Sequence, residues 1–226
     1  MRSQLNARSL GGQYPSNRVD LNRNYQRHYW NLVFRLASRE RVAGIIIGTL
    51  LPLFPRDRLL AKTSAALELI AQFDPRQFDR LRHLAGGIFI FDETGSLGTW
   101  LRGSRLIRLN EAFVAAPDTT DAEVAGTIVH ETTHAWLEAR GFAYHAERRR
   151  RIEAICYRAE AAFARRLPDG ATLANYYEER AKDMLAQTDD ELSDAALLAR
   201  DVARLRTLGS PEWFVKWLAQ RRSRAA

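Results

Sequence analysis

The chain has 226 residues, enough for one domain or two small ones and for a sizeable core. With 46% hydrophobic and 27% charged residues it is not a disordered chain, and its single cysteine, Cys156, excludes a disulfide-framed secreted fold. The net charge of +7 hints at an acidic partner. However, no zinc knuckle, aromatic-rich strand pair or Gly-rich phosphate loop accompanies the arginines at 148–151 or near 221, so no nucleic-acid motif is present.

Residues 1–18 read as a loose polar tail, with Gly11, Gly12 and Pro15 and no hydrophobic period. They lack the apolar run of a secretory signal, so a cytoplasmic protein is expected. From Asp20 to Arg41 the apolar Tyr25, Tyr29, Leu32, Val33 and Leu36 recur at helical spacing. Residues 42–55 (VAGIIIGTLLPLFP) then carry no charge. The stretch is shorter than the ~20 residues a spanning helix needs, and a buried helix is the first expectation. Contact with a membrane surface is the second, which would make the protein membrane-associated.

A helix is expected over Arg56–Phe73, and Pro75 opens a shorter one ending near Gly86 and Gly87. Gly87–Phe91 (GIFIF) reads as a strand, as does Ser104–Asn110, with Gly95–Leu101 as a third; the glycines at 95, 98 and 103 look like turns. Helices are expected again at about 120–140, 144–167, 171–187, 190–207 and 210–223, with Pro168-Asp169-Gly170 as a turn. On the last of these, Trp213, Phe214, Trp217 and Leu218 form an apolar face suited to docking on the body of the protein or to a dimer interface. The expected fold is α+β and mostly helical. It has a flexible tail (1–18), a helical N-terminal region (19–85), and a small sheet and helical C-terminal half in one unit (86–226).

The segment Asp118–Gly141 carries the chemistry. Thr120 and Glu123 stand in the spacing of a capping box, Asp121 adds negative charge to the first turn, and Gly141 supplies a stop. A helix therefore runs under His130-Glu131-Thr132-Thr133-His134. Residues four apart share a helix face, so both imidazoles can meet one metal ion, Zn2+ by preference. Glu131, offset by one position, can reach the open side of that metal as a general base.

His130-Glu131-Thr132-Thr133-His134 resembles the HExxH helix of the zincin metallopeptidases, and Arg105–Asn110 resembles the edge strand those enzymes place over their cleft. The resemblance covers roughly residues 86–165. It implies a zinc hydrolase acting on a peptide or protein substrate. Leu137 and Arg140 stand where the long metzincin motif needs glycine and histidine, which removes that branch. The gluzincin branch takes a glutamate from the following helix, and Glu153 lies 19 positions after His134. Glu153 is thus the implied third ligand. Glu160 is a rival, or a hydrogen-bond acceptor behind a ligand histidine; His145 and Glu147 are rivals nearer in sequence. Cys156, one turn after Glu153, could bind metal as thiolate but more often such a residue is a small buried apolar one.

A peptidase also needs a donor for the oxyanion. Tyr144, His145, Tyr157, Tyr176 and Tyr177 are candidates, with Tyr157 first because it shares a face with Glu153 and Glu160. Two other readings stay open. In one the zinc merely ties helices together; in the other the protein is a helical membrane-surface or partner-binding module built on residues 42–55. The oligomeric state is left open.

Overall fold

The computed structural model describes residues 17–92, 96–142, 144–145, 148–188 and the single positions 199, 202, 203 and 212; side chains are described from residue 27 onward. The helices expected at 190–207 and 210–223, with their tryptophans, lie outside the described residues, as do Glu147 and most of the tail.

The fold is α+β. Among the described residues five strands form one mixed sheet: β1 (Ser38–Val42), β2 (Ile45–Thr49), β3 (Gly87–Phe91), β4 (Gly98–Leu101) and β5 (Leu106–Asn110), in the order β1-β2-β3-β5-β4. The three inner strands β2, β3 and β5 are parallel, and the two edge strands are antiparallel to their neighbours. Helices α1 (Asn17–Leu36), α2 (Arg56–Phe73), α3 (Pro75–Leu84), α4 (Glu111–Ala115), α5 (Asp121–Ala139), α6 (Arg149–Ala164) and α7 (Ala171–Ala186) surround it.

The apolar run at 42–55 is not a helix. Ile45, Ile46 and Ile47 are β-branched and pack well on a pleated surface, while Gly48 would cost a helix interior about 1 kcal/mol. Pairing decides the outcome: β2 is bonded on both sides, to β1 and β3, and a strand buried on both faces reads as an unbroken apolar run. The turn before it holds Ala43 and Gly44 at φ 49° and 88°. Two positive φ values in a two-residue hairpin loop match the right-handed twist of the flanking strands. The same hairpin takes Ser38–Val42 away from the expected first helix, which stops at Leu36. Residues on both sides of position 85 therefore share one sheet, and the N-terminal region is not purely helical.

The GIFIF strand distributes its side chains by parity. Ile88 and Ile90 join Ile47, Leu67, Ile70, Ile107, Leu109, Val124 and Ile128 in the main core, between the sheet and helices α2 and α5. Phe89 points to the opposite face, against Phe34 and Leu106, where α1 lies. Fully burying one such side chain contributes about 1.5–3 kcal/mol, so both faces of β3 are strongly fixed. Gly48 and Gly87 make room for that helix: a Cβ at either would stand 2.7 Å from the Phe34 ring.

The expected edge role of Arg105–Asn110 is overturned. This segment, as β5, is paired on both sides, by β3 and β4. Alternation does place Ile107 and Leu109 in the main core, as expected. The exposed edge beside helix α5 is β4, and Gly98 marks a close approach rather than a turn.

Candidate metal centre

Helix α5 is built as its sequence signals. The Thr120 side chain accepts the Glu123 N–H, and the Glu123 carboxylate accepts the Thr120 N–H at 2.7 Å. At the other end Gly141, with φ 83°, allows Gly141 N–H to reach the Glu138 carbonyl and Phe142 N–H to reach that of Leu137. These two bonds make a Schellman motif. Between the caps the helix is buried on nearly all sides, and its threonines cope by bonding back one turn: Thr127 to Glu123, Thr132 to Ile128 and Thr133 to Val129. The pair in HETTH is thereby satisfied without water.

Helix α6 packs against α5, and Glu153, Tyr157 and Glu160 lie at i, i+4 and i+7 along its facing side. Glu153 lies between the two histidines: Oε2 stands 3.1 Å from Nε2 of His130, and Oε1 stands 3.5 Å from Nε2 of His134. Glu160 Oε2 lies 2.9 Å from the other nitrogen of His130, Nδ1. The Tyr144 hydroxyl, from the connecting loop, donates to Glu153 Oε1 at 2.5 Å. The His130 ring is edge-on to Tyr157 at 5.0 Å, and that of His134 to Tyr144 at 5.4 Å.

The two separations from Glu153 suit a tetrahedral ion. A metal bound at ~2.0–2.1 Å by nitrogen and oxygen sets its donors about 3.4 Å apart, close to the two Glu153 separations. Cys156 is the competing donor, since its sulfur and one nitrogen of each histidine lie within 4.8 Å of one another. It is wholly buried and packed against Leu137 and Ile152, and burial pushes its thiol up. Glu153, by contrast, touches both imidazoles directly. His145 is exposed and does not line the cleft.

Metal-free, the group is electrically coupled. Burial opposes charge on His130, but Glu160 and the hydrogen bonds to both glutamates prevail and hold it well above the ordinary histidine range. Burial pushes His134 down to about 4, aided by the charge on His130. Burial would raise Glu153, yet its bonds to His130 and Tyr144 and the charge of the histidines hold it at about 2. Glu131 is pushed up to about 7 by burial, with His130 and a hydrogen bond from the Trp100 backbone N–H acting the other way. A base near neutrality is suited to both taking and returning a proton. Tyr144 and Tyr157 are both raised by burial and stay neutral donors.

The group opens into a cleft of about 1240 Å³ between β4, α4 and helices α5 to α7, lined by His130, Glu131, His134, Tyr144, Glu153 and Tyr157 among others. Strand β4 is clamped over α5: Trp100 Nε1 donates to Glu138 at 2.6 Å, and Arg102 pairs with the same carboxylate at 3.0 Å. A Cβ on Gly98 would meet Thr127 at 2.7 Å and Glu131 Cγ at 3.1 Å, so only glycine lets the strand lie this close.

Compared with protein-family models, with curated proteins and with solved structures, the chain matches none.

Sequence reasoning missed Trp100, Arg102 and Arg180 at this site. Arg180 Nη2 lies 3.5 Å from the Tyr157 hydroxyl oxygen and lines the cleft. None carries a local signal: Trp100 and Arg102 arrive from β4 and the turn after it, and Arg180 from α7. Short α4 was also missed, although its N-cap was readable: the Asn110 side chain accepts the Phe113 N–H at 2.9 Å.

Proposed function

We propose that this chain is a zinc-dependent peptidase in which His130, His134 and Glu153 hold the metal and Glu131 is the general base. The observation that carries the reading is the Glu153 carboxylate lying between the two imidazoles, with Glu131 next to them in the same open cleft. Bound there, zinc supplies Lewis acidity, which lowers the pKa of water and polarises a carbonyl. Glu131 takes the proton of the attacking water on its carboxylate and gives it to the departing amine nitrogen. Tyr157, whose oxygen faces Arg180, keeps its hydroxyl hydrogen available for the developing oxyanion. Strand β4, at the edge of the sheet, takes over the role once expected of Arg105–Asn110 and would receive an extended peptide alongside it, with the Trp100 N–H held by Glu131.

The test is metal analysis beside activity. Purified protein should carry about one zinc per chain and cleave unstructured peptides. Glu131→Gln should keep the metal and lose cleavage, and His134→Ala should lose both. Protein that binds no zinc at micromolar concentration sinks the proposal.

A second reading rests on Cys156. With its sulfur near both histidines, it could close the site as a fourth ligand, leaving a metal that only ties α5 to α6. Under that reading Cys156→Ala weakens zinc binding and Glu131→Gln changes nothing measurable; under the peptidase reading the two results are reversed.

A further inference from the structure

The β2–α2 loop, residues 50–55, carries the two most exposed leucines among the described residues. Leu51 is 87% and Leu53 76% exposed, and Phe54 is exposed beside them. The register of the hairpin adds to this patch. Ser38 pairs with Thr49, so Leu36, two residues before Ser38, and Leu51, two residues after Thr49, emerge at the same end of the sheet. Leu36 is 69% exposed and Leu32, one turn earlier on α1, is exposed too.

This loop is held open rather than left loose. Leu51 sits at φ 46°, a conformation that favours glycine, and Pro52 and Pro55 stiffen the path. The Phe54 N–H is captured at 2.8 Å by the carboxylate of Glu111, which is buried in α4. A strained residue, two prolines and a buried carboxylate together prevent the leucines from folding back onto the core.

Charge around the loop is one-sided. Arg35, Arg39, Arg56 and Arg58 flank it, against Glu40, Asp57 and the buried Glu111; Glu40 and Asp57 pair with Arg56 at 3.8 and 3.7 Å, which leaves the exposed charge positive. Arg35, Arg39 and Arg58 are exposed. Protruding apolar side chains ringed by arginine match an anionic bilayer, whose acyl region accepts leucine and phenylalanine and whose headgroups attract guanidinium. No described helix is long and apolar enough to cross a membrane.

We infer that residues 50–55, with Leu32 and Leu36, form a docking surface for an anionic lipid bilayer. This surface stands independently of the peptidase reading. One corollary does rest on that reading: α4 holds the loop through Glu111 and lines the cleft through Ala112 and Phe113, so substrates would be peptides held at a membrane surface.

The full chain should sediment with vesicles of phosphatidylcholine mixed with phosphatidylglycerol, weakly with phosphatidylcholine alone, and less as salt rises. Leu51→Ser with Leu53→Ser should lower vesicle affinity at least about tenfold while the melting temperature holds, since both side chains are exposed. Glu131→Gln should bind vesicles like wild type, which separates this surface from the fate of the peptidase reading. Absence of binding to the anionic vesicles, or affinity unchanged by the double substitution, overturns the inference. So does a dimer in solution that the double substitution dissociates, which would assign the face to a second copy of the chain.

Discussion

Nδ1 of His130 lies 2.9 Å from Glu160 Oε2, while Nε2 of the same ring turns toward Glu153 at 3.1 Å. One carboxylate thus fixes the ring from behind, and the other shares the side that would face the proposed metal. A ligand imidazole fixed in this way has a defined tautomer and greater basicity.

Replacing Glu160 should therefore weaken metal binding without removing a ligand. Glu160→Leu is expected to lower zinc affinity about 10–100-fold, the range seen when such outer partners are lost. Glu160→Gln keeps an acceptor and should retain most of the affinity. Competition against a chelating dye reads both; equal affinity for Glu160→Leu and wild type contradicts the assignment.

Zinc uptake should release a proton. His130 is held well above the ordinary histidine range in the metal-free site, so it is charged at pH 7, whereas His134, at about 4, is already neutral. A metal needs the neutral ring, so protons compete below the His130 value. Affinity should rise with pH until that value is passed and then level off. Calorimetry at pH 7 in two buffers of different ionisation enthalpy should show a net release of protons on zinc binding. Identical heats in the two buffers would contradict this.

Gly98→Ala should separate catalysis from metal binding. Its new methyl would meet Thr127 at 2.7 Å and Glu131 at 3.1 Å, forcing strand β4 outward or the base out of position. Overpacking of this kind costs about 1–3 kcal/mol. Peptide cleavage should fall while zinc content stays at the wild-type level. Unchanged cleavage would show that β4 does not set the position of Glu131.

One substitution should stabilise the fold. Ala43 holds φ 49° in the β1–β2 turn, where alanine is disfavoured and asparagine tolerated. Ala43→Asn gives the Asn-Gly pair this turn prefers and should add about 1 kcal/mol. A higher midpoint in urea with an unchanged slope is the expected readout; a lower one would mean the turn relaxes away from this geometry.

The sequence by itself determined the site helix. Capping box, glycine stop and the four-residue histidine spacing are all local, acting within a turn or two of backbone, and all appear where the residues predicted them. The spacing to Glu153 also carried through, because two helices joined by a short loop have few ways to pack. Helices α2 and α3 were legible for similar local reasons, including Pro75 at the start of α3. Tertiary structure alone decided the sheet. The uncharged run at 42–55 shows no period that separates a buried strand from a buried helix, and pairing with residues some forty positions away settles it. Which strand forms the edge is equally non-local: β5 became central only because β4 folds back against it. For the same reason Trp100 and Arg102, from β4 and its turn, and Arg180, from α7, reach the cleft unannounced, since the neighbours of those elements are chosen by the whole core.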